Sequence, residues 1–197
     1  LFGAAAPLGL LASGFHKHGM GPIVAMTHGH EAAWATTPGA RSVLRSIGDS
    51  VDTMTYLGEY TRRRISSALR PPAAARMRRL VPGVDTSVFN PGMRDQGKAL
   101  REDLGLGQRP VVVCVSRLMP RKGQDTLIRA LPRIQREVPD AALLIVGGGP
   151  YRSTLDTLVA QTGVADSVVL TGTVPWDALP VHYAAGDVFA MPCRTRN

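Results

Sequence analysis

Short apolar runs alternate along the chain with longer amphipathic stretches, and that alternation is the first guide to its elements. PIVAMT at 22–27 and VDTMTYL at 51–57 have the length and composition of strands. Residues 58–70 read as an arginine-rich helix in which Ile65 and Leu69 share the spacing of a core-facing stripe. VPGVDTSVFNPG at 81–92 then breaks the pattern with proline and glycine. After ALREDLGLGQRP a cleaner series begins, with VVVCVS (111–116), ALLIVG (142–147), VVLTG (168–172) and DVFAMP (187–192) as strands. Residues 124–138, 151–163 and 176–186 read as the helices between them. Near-continuous apolar strands alternating with helices predict a parallel sheet covered on both faces, the doubly wound α/β architecture. The break places a domain boundary between 92 and 93, giving domains 1–92 and 93–197. Pro132 lies inside the 124–138 helix and predicts a kink there, because proline removes a hydrogen bond and crowds the preceding turn.

Composition narrows the partner more than the fold. The 197 residues are 44% hydrophobic, enough for a packed core, and 23 basic against 15 acidic residues give a formal net charge of +8. An anionic partner is expected, whether a phosphorylated metabolite, a phospholipid surface or a nucleic acid. Aromatic residues are only 5% and none interleaves with the arginines of TRRRISSALRPPAAARMRRL (61–80), so base-stacking platforms for nucleic acid are lacking there. That acid-free stretch fits an anionic membrane surface, or is simply a solvated helix face and loop. Cys114 and Cys193 form neither a disulfide framework nor a repeated metal-ligand pattern, which suits a reducing cytoplasm. The apolar opening LFGAAAPLGLLASGF is too short for a bilayer span and lacks a basic leader; it reads as a buried helix. With no initiator Met and an end just beyond a strand-like run, truncation is expected at both ends.

The candidate chemistry gathers where strands end. Arg117, Arg121 and Lys122 follow VVVCVS and precede a helix beginning near Asp125. In a doubly wound sheet, ligands bind beyond the carboxyl ends of the strands, beside helix N-termini with free N–H groups. An Arg and a Lys there suit a diphosphate, and their hold strengthens as a leaving diphosphate gains charge. The plain alternative is a set of ordinary solvated loop charges. One βα unit later, Gly147, Gly148 and Gly149 end another strand and allow close backbone approach, although a tight turn needs the same residues. His28 and His30, followed by Glu31, sit at the end of PIVAMT. A zinc site would need a third or fourth ligand that the sequence does not offer, and a hydrogen-bonded buried histidine is the other plain reading.

SRLMPRKGQDTLIRAL, LLIVGGGPYRSTL, VVLTGTV and DVFAMP resemble, in order and spacing, the donor-binding domain of retaining GT-B glycosyltransferases of family 4; THGHEAAW and VPGVDTSVFNP resemble that family's acceptor domain and interdomain segment. Within it, THGHE, SRLMPRKGQD and the terminal PCRTR are most similar to the actinobacterial mannosyltransferases that move mannose from GDP-mannose onto phosphatidylinositol monomannoside. The resemblance implies a GT-B fold of two doubly wound Rossmann-like domains, both incomplete here. It implies a retaining hexosyltransferase with a nucleotide-sugar donor, GDP-mannose, a lipid-linked acceptor, no metal and no other cofactor. Arg117 and Lys122 would hold the donor diphosphate, and Gly147–Gly149 would lie beside the donor. Backbone near Gly172 and Val174 would contact the base, and His28 would sit by the transferred sugar. His30 is the alternative imidazole, and Arg194 of PCRTR a further candidate. A cytoplasmic protein, peripheral on the inner face of the plasma membrane, follows from such an acceptor. The family's first glycine-rich loop and its glutamate-containing EGLG-type segment are absent from this sequence, so a non-catalytic nucleotide-sugar-binding homologue stands as the alternative. A peripheral membrane-binding module acting through 61–80 is a further one.

Overall fold

The computed structural model describes residues 1–194. The chain divides into two compact units, Leu1–Val84 and Asp85–Asn197.

In the first unit a 3-10 turn at Leu8–Leu11 leads into α1 (Ala12–Lys17), followed by β1 (Val24–Ala25), α2 (Glu31–Trp34) and α3 (Pro38–Ser50). β2 (Thr53–Tyr56), α4 (Glu59–Ser66), α5 (Pro71–Ala75) and β3 (Arg78–Arg79) complete it. The strands form a parallel sheet in the order β1-β2-β3. Pro38 starts α3 at its first position, where its fixed φ suits the helix and its missing N–H costs nothing. Leu44 and Ile47 of α3 then pack with Ile23, Met54, Ile65 and Leu69, so the two residues of the arginine-rich helix expected to face a core do so. The strand expected over 22–27 is two residues long, and Phe2 pairs alongside it in a parallel bridge: its N–H donates to the Val24 carbonyl at 2.8 Å and its own carbonyl accepts from Met26 N–H at 3.0 Å.

The opening segment differs from expectation. It is helical, but Ala5, Ala6, Gly9 and Ala12 are the buried residues, whereas Leu8, Leu10, Leu11 and Phe15 keep 45%, 45%, 56% and 36% of their surface exposed. Small side chains let this segment approach α3 closely, and that approach turns the large side chains outward.

The second unit contains α6 (Arg94–Asp103), β4 (Val111–Val115), α7 (Gln124–Glu137), β5 (Ala142–Val146), α8 (Arg152–Thr162), β6 (Val168–Gly172), α9 (Leu179–Ala184) and β7 (Val188–Phe189). All pairs are parallel and the order is β6-β5-β4-β7. Alternate side chains of β4 and β5 divide between two cores. Cys114, Leu143 and Ile145 pack with Ile128, Leu131, Leu155 and Leu158 of α7 and α8. Val111, Val113, Ala142, Leu144 and Val146 pack on the opposite face with Leu100, Leu104 and Leu106. Both faces are therefore covered, which is why these strands read as unbroken apolar runs. α7 continues through Pro132 as one helix, anchored by buried Ile128 and Leu131 on the preceding turns.

The unit boundary falls at Val84/Asp85 rather than 92/93. The Pro–Gly stretch is not a free linker: Asp85 accepts at its backbone carbonyl from the N–H of Val88 and Phe89, and the Phe89 ring lies edge-on to Trp176 and Tyr183 at 6.0 and 5.9 Å. These contacts draw residues 85–92 into the second unit.

Candidate functional site

In the second unit the chain runs outward from β4 to β5 and β6, then returns to place β7 on the other side of β4. The order reverses at β4, and in open parallel sheets the crevice beyond such a reversal receives the ligand. The loop leaving β4 there is the one that carries Arg117, Arg121 and Lys122.

Backbone hydrogen bonds join this loop to the neighbouring strand ends. Ser116 N–H donates to the Val146 carbonyl at 3.0 Å, Leu118 N–H to the Gly148 carbonyl at 2.9 Å, and Gly147 N–H to the Gly172 carbonyl at 2.8 Å. The three segments SRL, GGG and TGT, separated in sequence, thus form one shelf. Glycine is required in it: Gly147 has φ +137°, and a Cβ there would collide with the Ser116 carbonyl oxygen. Val174, half-buried, anchors the segment beyond Gly172 on the face lined by Val111 and Leu144.

Gln124, fully buried at the start of α7, supports the loop from beneath. Its Nε2 donates to Ser116 Oγ at 2.9 Å and to the Arg117 carbonyl at 3.0 Å, while its Oε1 has no hydrogen-bond partner. Sequence reasoning passed over this residue; a glutamine in the first turn of a helix, directly after a glycine, was the only local signal.

The cations above this support are unneutralised. Arg117 and Arg121 are exposed and Lys122 half-buried, and among the described residues none of the three has an ion-pair partner; Lys122 Nζ lies 3.9 Å from Met191 Sδ. Several arginines elsewhere are occupied: Arg62 pairs with Glu59, Arg70 with Asp49, Arg101 with Asp187 and Arg152 with Asp156. Even within 61–80, Arg76 donates to three backbone carbonyls, and the Arg64 guanidinium sits 6.0 Å from the Tyr60 ring centre. Arg194, another sequence candidate, is paired: its Nη2 meets both oxygens of Asp125, at 2.8 and 3.1 Å. Thr195 and Arg196 of the same PCRTR segment lie outside the described residues.

Beneath the loop, Cys114 is buried in β4, and its burial pushes the thiol above its ordinary value despite the hydrogen bond with Ser116 and the nearby Lys122 charge.

His28 and His30 belong to the first unit, in the loop between β1 and α2. Both are exposed, unlike the buried histidine of the plain reading. His28 Nε2 contacts the Gly3 carbonyl at 2.5 Å, and its backbone N–H donates to Glu31 Oε2 at 3.0 Å. Glu31 is fully buried, with Oε1 3.4 Å from His30 Nε2. One buried carboxylate thus fixes the backbone of the first histidine and lies beside the ring of the second. Among the described residues no group of three or more His, Cys, Asp or Glu side chains is arranged to hold a metal ion.

Comparison with known proteins gives this arrangement its relatives. The chain is 55% identical over 195 residues to a Mycolicibacterium smegmatis protein named GDP-mannose-dependent alpha-(1-6)-phosphatidylinositol monomannoside mannosyltransferase. It is 45% identical over 196 residues to a Corynebacterium glutamicum protein named as the corresponding transferase for the monoacylated acceptor. Each alignment covers 99% of this chain and 50% of the relative, so the chain spans about half the length of these proteins. Among solved structures, the Anabaena HepE protein in complex with UDP and glucose superposes with a TM-score of 0.77 at 23% identity, over 93% of this chain and 49% of that one. That likeness concerns the fold, which is GT-B. Residues 97–195 match the family model described as glycosyl transferases group 1, and the chain belongs to that family.

Proposed function

We propose that the chain is part of a retaining mannosyltransferase that takes mannose from GDP-mannose and passes it to a phosphatidylinositol mannoside. The observation that carries this reading is the set of unpaired cations Arg117, Arg121 and Lys122 on a shelf built from three strand ends. The names of the mycobacterial and corynebacterial relatives supply the sugar, base and acceptor class. In this reading the anomeric C–O bond to the diphosphate breaks, the acceptor hydroxyl forms the new C–O bond on the same face, and its proton passes to the departing diphosphate oxygen. Arg117 and Lys122 meet the charge that grows on the departing diphosphate, an interaction stronger in the transition state than in the ground state. Gly147–Gly149, Gly172 and Val174 border the donor, and His28, held by Glu31, serves the transferred sugar. The charge stabilisation comes from side chains, without a metal. No helix among the described residues is long and apolar enough to cross a membrane. The exposed Leu8, Leu10, Leu11 and Phe15 and the arginines of 61–80 support a peripheral position on the cytoplasmic face of a membrane, where a lipid acceptor resides.

Because the chain spans about half of its relatives, binding is the appropriate test. Calorimetric titration with GDP, GDP-mannose, UDP and UDP-glucose is expected to show guanine-selective binding. Lys122→Ala should weaken it roughly 10- to 100-fold, the range for loss of a charge-assisted hydrogen bond worth about 1.5–3 kcal/mol. Equal affinity in the variant would remove Lys122 from the donor site, and a preference for UDP would overturn the assignment of the base.

A further inference from the structure

Two segments leave the sheet side by side at the reversal point: the cationic loop after β4 and the stretch Met191–Arg194 after β7. The second lies along the first. Ala190 N–H makes a ladder-like bond to the Val113 carbonyl at 2.9 Å, and a tight turn follows, with Cys193 N–H donating to the Met191 carbonyl at 2.8 Å. Arg194 then attaches to the cationic loop at three places. Its backbone N–H donates to the Arg121 carbonyl at 2.8 Å, its Nη2 to the Pro120 carbonyl at 2.6 Å, and the same Nη2 to the Asp125 carboxylate. Between these attachments the chains approach so closely that a Cβ at Gly123 would run into the Pro192 carbonyl oxygen. The Asp125 side chain is only 10% exposed, whereas that of Arg194 is 48% exposed.

We propose that Arg194 and Asp125 are positioning residues that latch the segment after β7 onto the loop carrying Arg121 and Lys122, fixing those cations for the donor diphosphate. This rests on the donor-site reading above. The pair is neutral as a unit, so its contribution is to loop geometry rather than to the charge seen by the donor. A loop held by local bonds alone would spread its cations over many positions, and the diphosphate would have to order them on binding. The residues are 69 positions apart, and their contact joins the loop after β4 to the segment after β7, the strand paired with β4.

The sign of one substitution separates latch from simple charge. Asp125→Ala removes a negative charge near the anion site, so a field effect alone predicts tighter GDP binding; the latch predicts binding about tenfold weaker. Arg194→Met should give a similar loss, and Arg194→Lys, which keeps the charge but not the guanidinium that places Nη2 between the Pro120 carbonyl and the Asp125 carboxylate, an intermediate one. Hydrogen exchange read by mass spectrometry should show amides of 121–125 exchanging at least about tenfold faster in Asp125→Ala and Arg194→Met, with those of β4 and β5 unchanged. Unchanged exchange at 121–125 in both variants would overturn the latch. So would GDP affinity equal to or tighter than that of the unaltered chain in Asp125→Ala. Absence of GDP binding by the unaltered chain would instead overturn the donor-site reading on which the positioning role depends.

Discussion

Gly147→Ala tests the shelf on which the proposed donor site stands. At φ +137° an L-residue meets backbone strain of about 1–3 kcal/mol. Alanine would also drive its Cβ into the Ser116 carbonyl oxygen, and relief requires the chain at 116–118 to move away from 146–148. Such overpacking costs typically ~1–3 kcal/mol more, and the bonds from Ser116 N–H to Val146 and from Leu118 N–H to Gly148 are the ones placed at risk. The sum is a loss of about 2–6 kcal/mol. Gly163, which caps α8 at φ +68°, is the internal control: a Cβ there meets nothing within 4 Å, so Gly163→Ala should cost only the left-handed penalty of about 1–2 kcal/mol. Urea denaturation of the two variants, with the slope checked for constancy, reads both numbers. Gly147→Ala should also weaken GDP binding, because relief of the clash displaces Arg117, whereas Gly163→Ala should not. If Gly147→Ala is no more destabilising than Gly163→Ala, the close packing of the two loops is refuted.

Two further outcomes follow from titratable groups away from the shelf. Burial raises the Asp187 carboxyl, but the Val111 N–H and the Arg101 guanidinium outweigh it and hold the group below the usual carboxylate range. A carboxyl depressed in the folded state stabilises above its unfolded pKa of about 4 and loses that contribution as pH falls through the folded value. Asp187→Asn should therefore be less stable than the parent near neutrality, with the gap closing below roughly pH 4 in urea melts; a constant gap would show that charge is not involved. Cys193 is exposed and Cys114 buried with its thiol pushed up, so an aromatic disulfide reagent should modify Cys193 alone in the folded chain and both thiols in denaturant. Rapid modification of Cys114 in the native state would contradict the packing of β4.

The second unit was legible because both sheet faces are buried: β4, β5 and β6 stand out as apolar runs, and the cations at the end of β4 stand out against them. Features set by distant partners were not. Nothing near Phe89 announces that its ring meets Trp176 and Tyr183, so the Pro–Gly break points to a boundary eight residues beyond the one in the fold. Apolar content in the opening segment suggested burial of its leucines, but proximity to α3 selects alanine and glycine for the buried face. Arg194 looked like one more cation for the donor, and only the fold brings it to Asp125. Gln124 carries no such signal for a similar reason, and Glu31 reads from sequence only as a neighbour of the two histidines: each acts through a buried polar group on a neighbouring backbone.

The most direct measurement is hydrogen exchange by mass spectrometry on the unaltered chain, with and without saturating GDP. Protection confined to 116–124, 147–151 and 172–174 is the predicted result, since those segments form the shelf and carry its cations. Protection at 61–80, or none anywhere despite binding, would contradict the assignment of the donor site to the carboxyl end of β4.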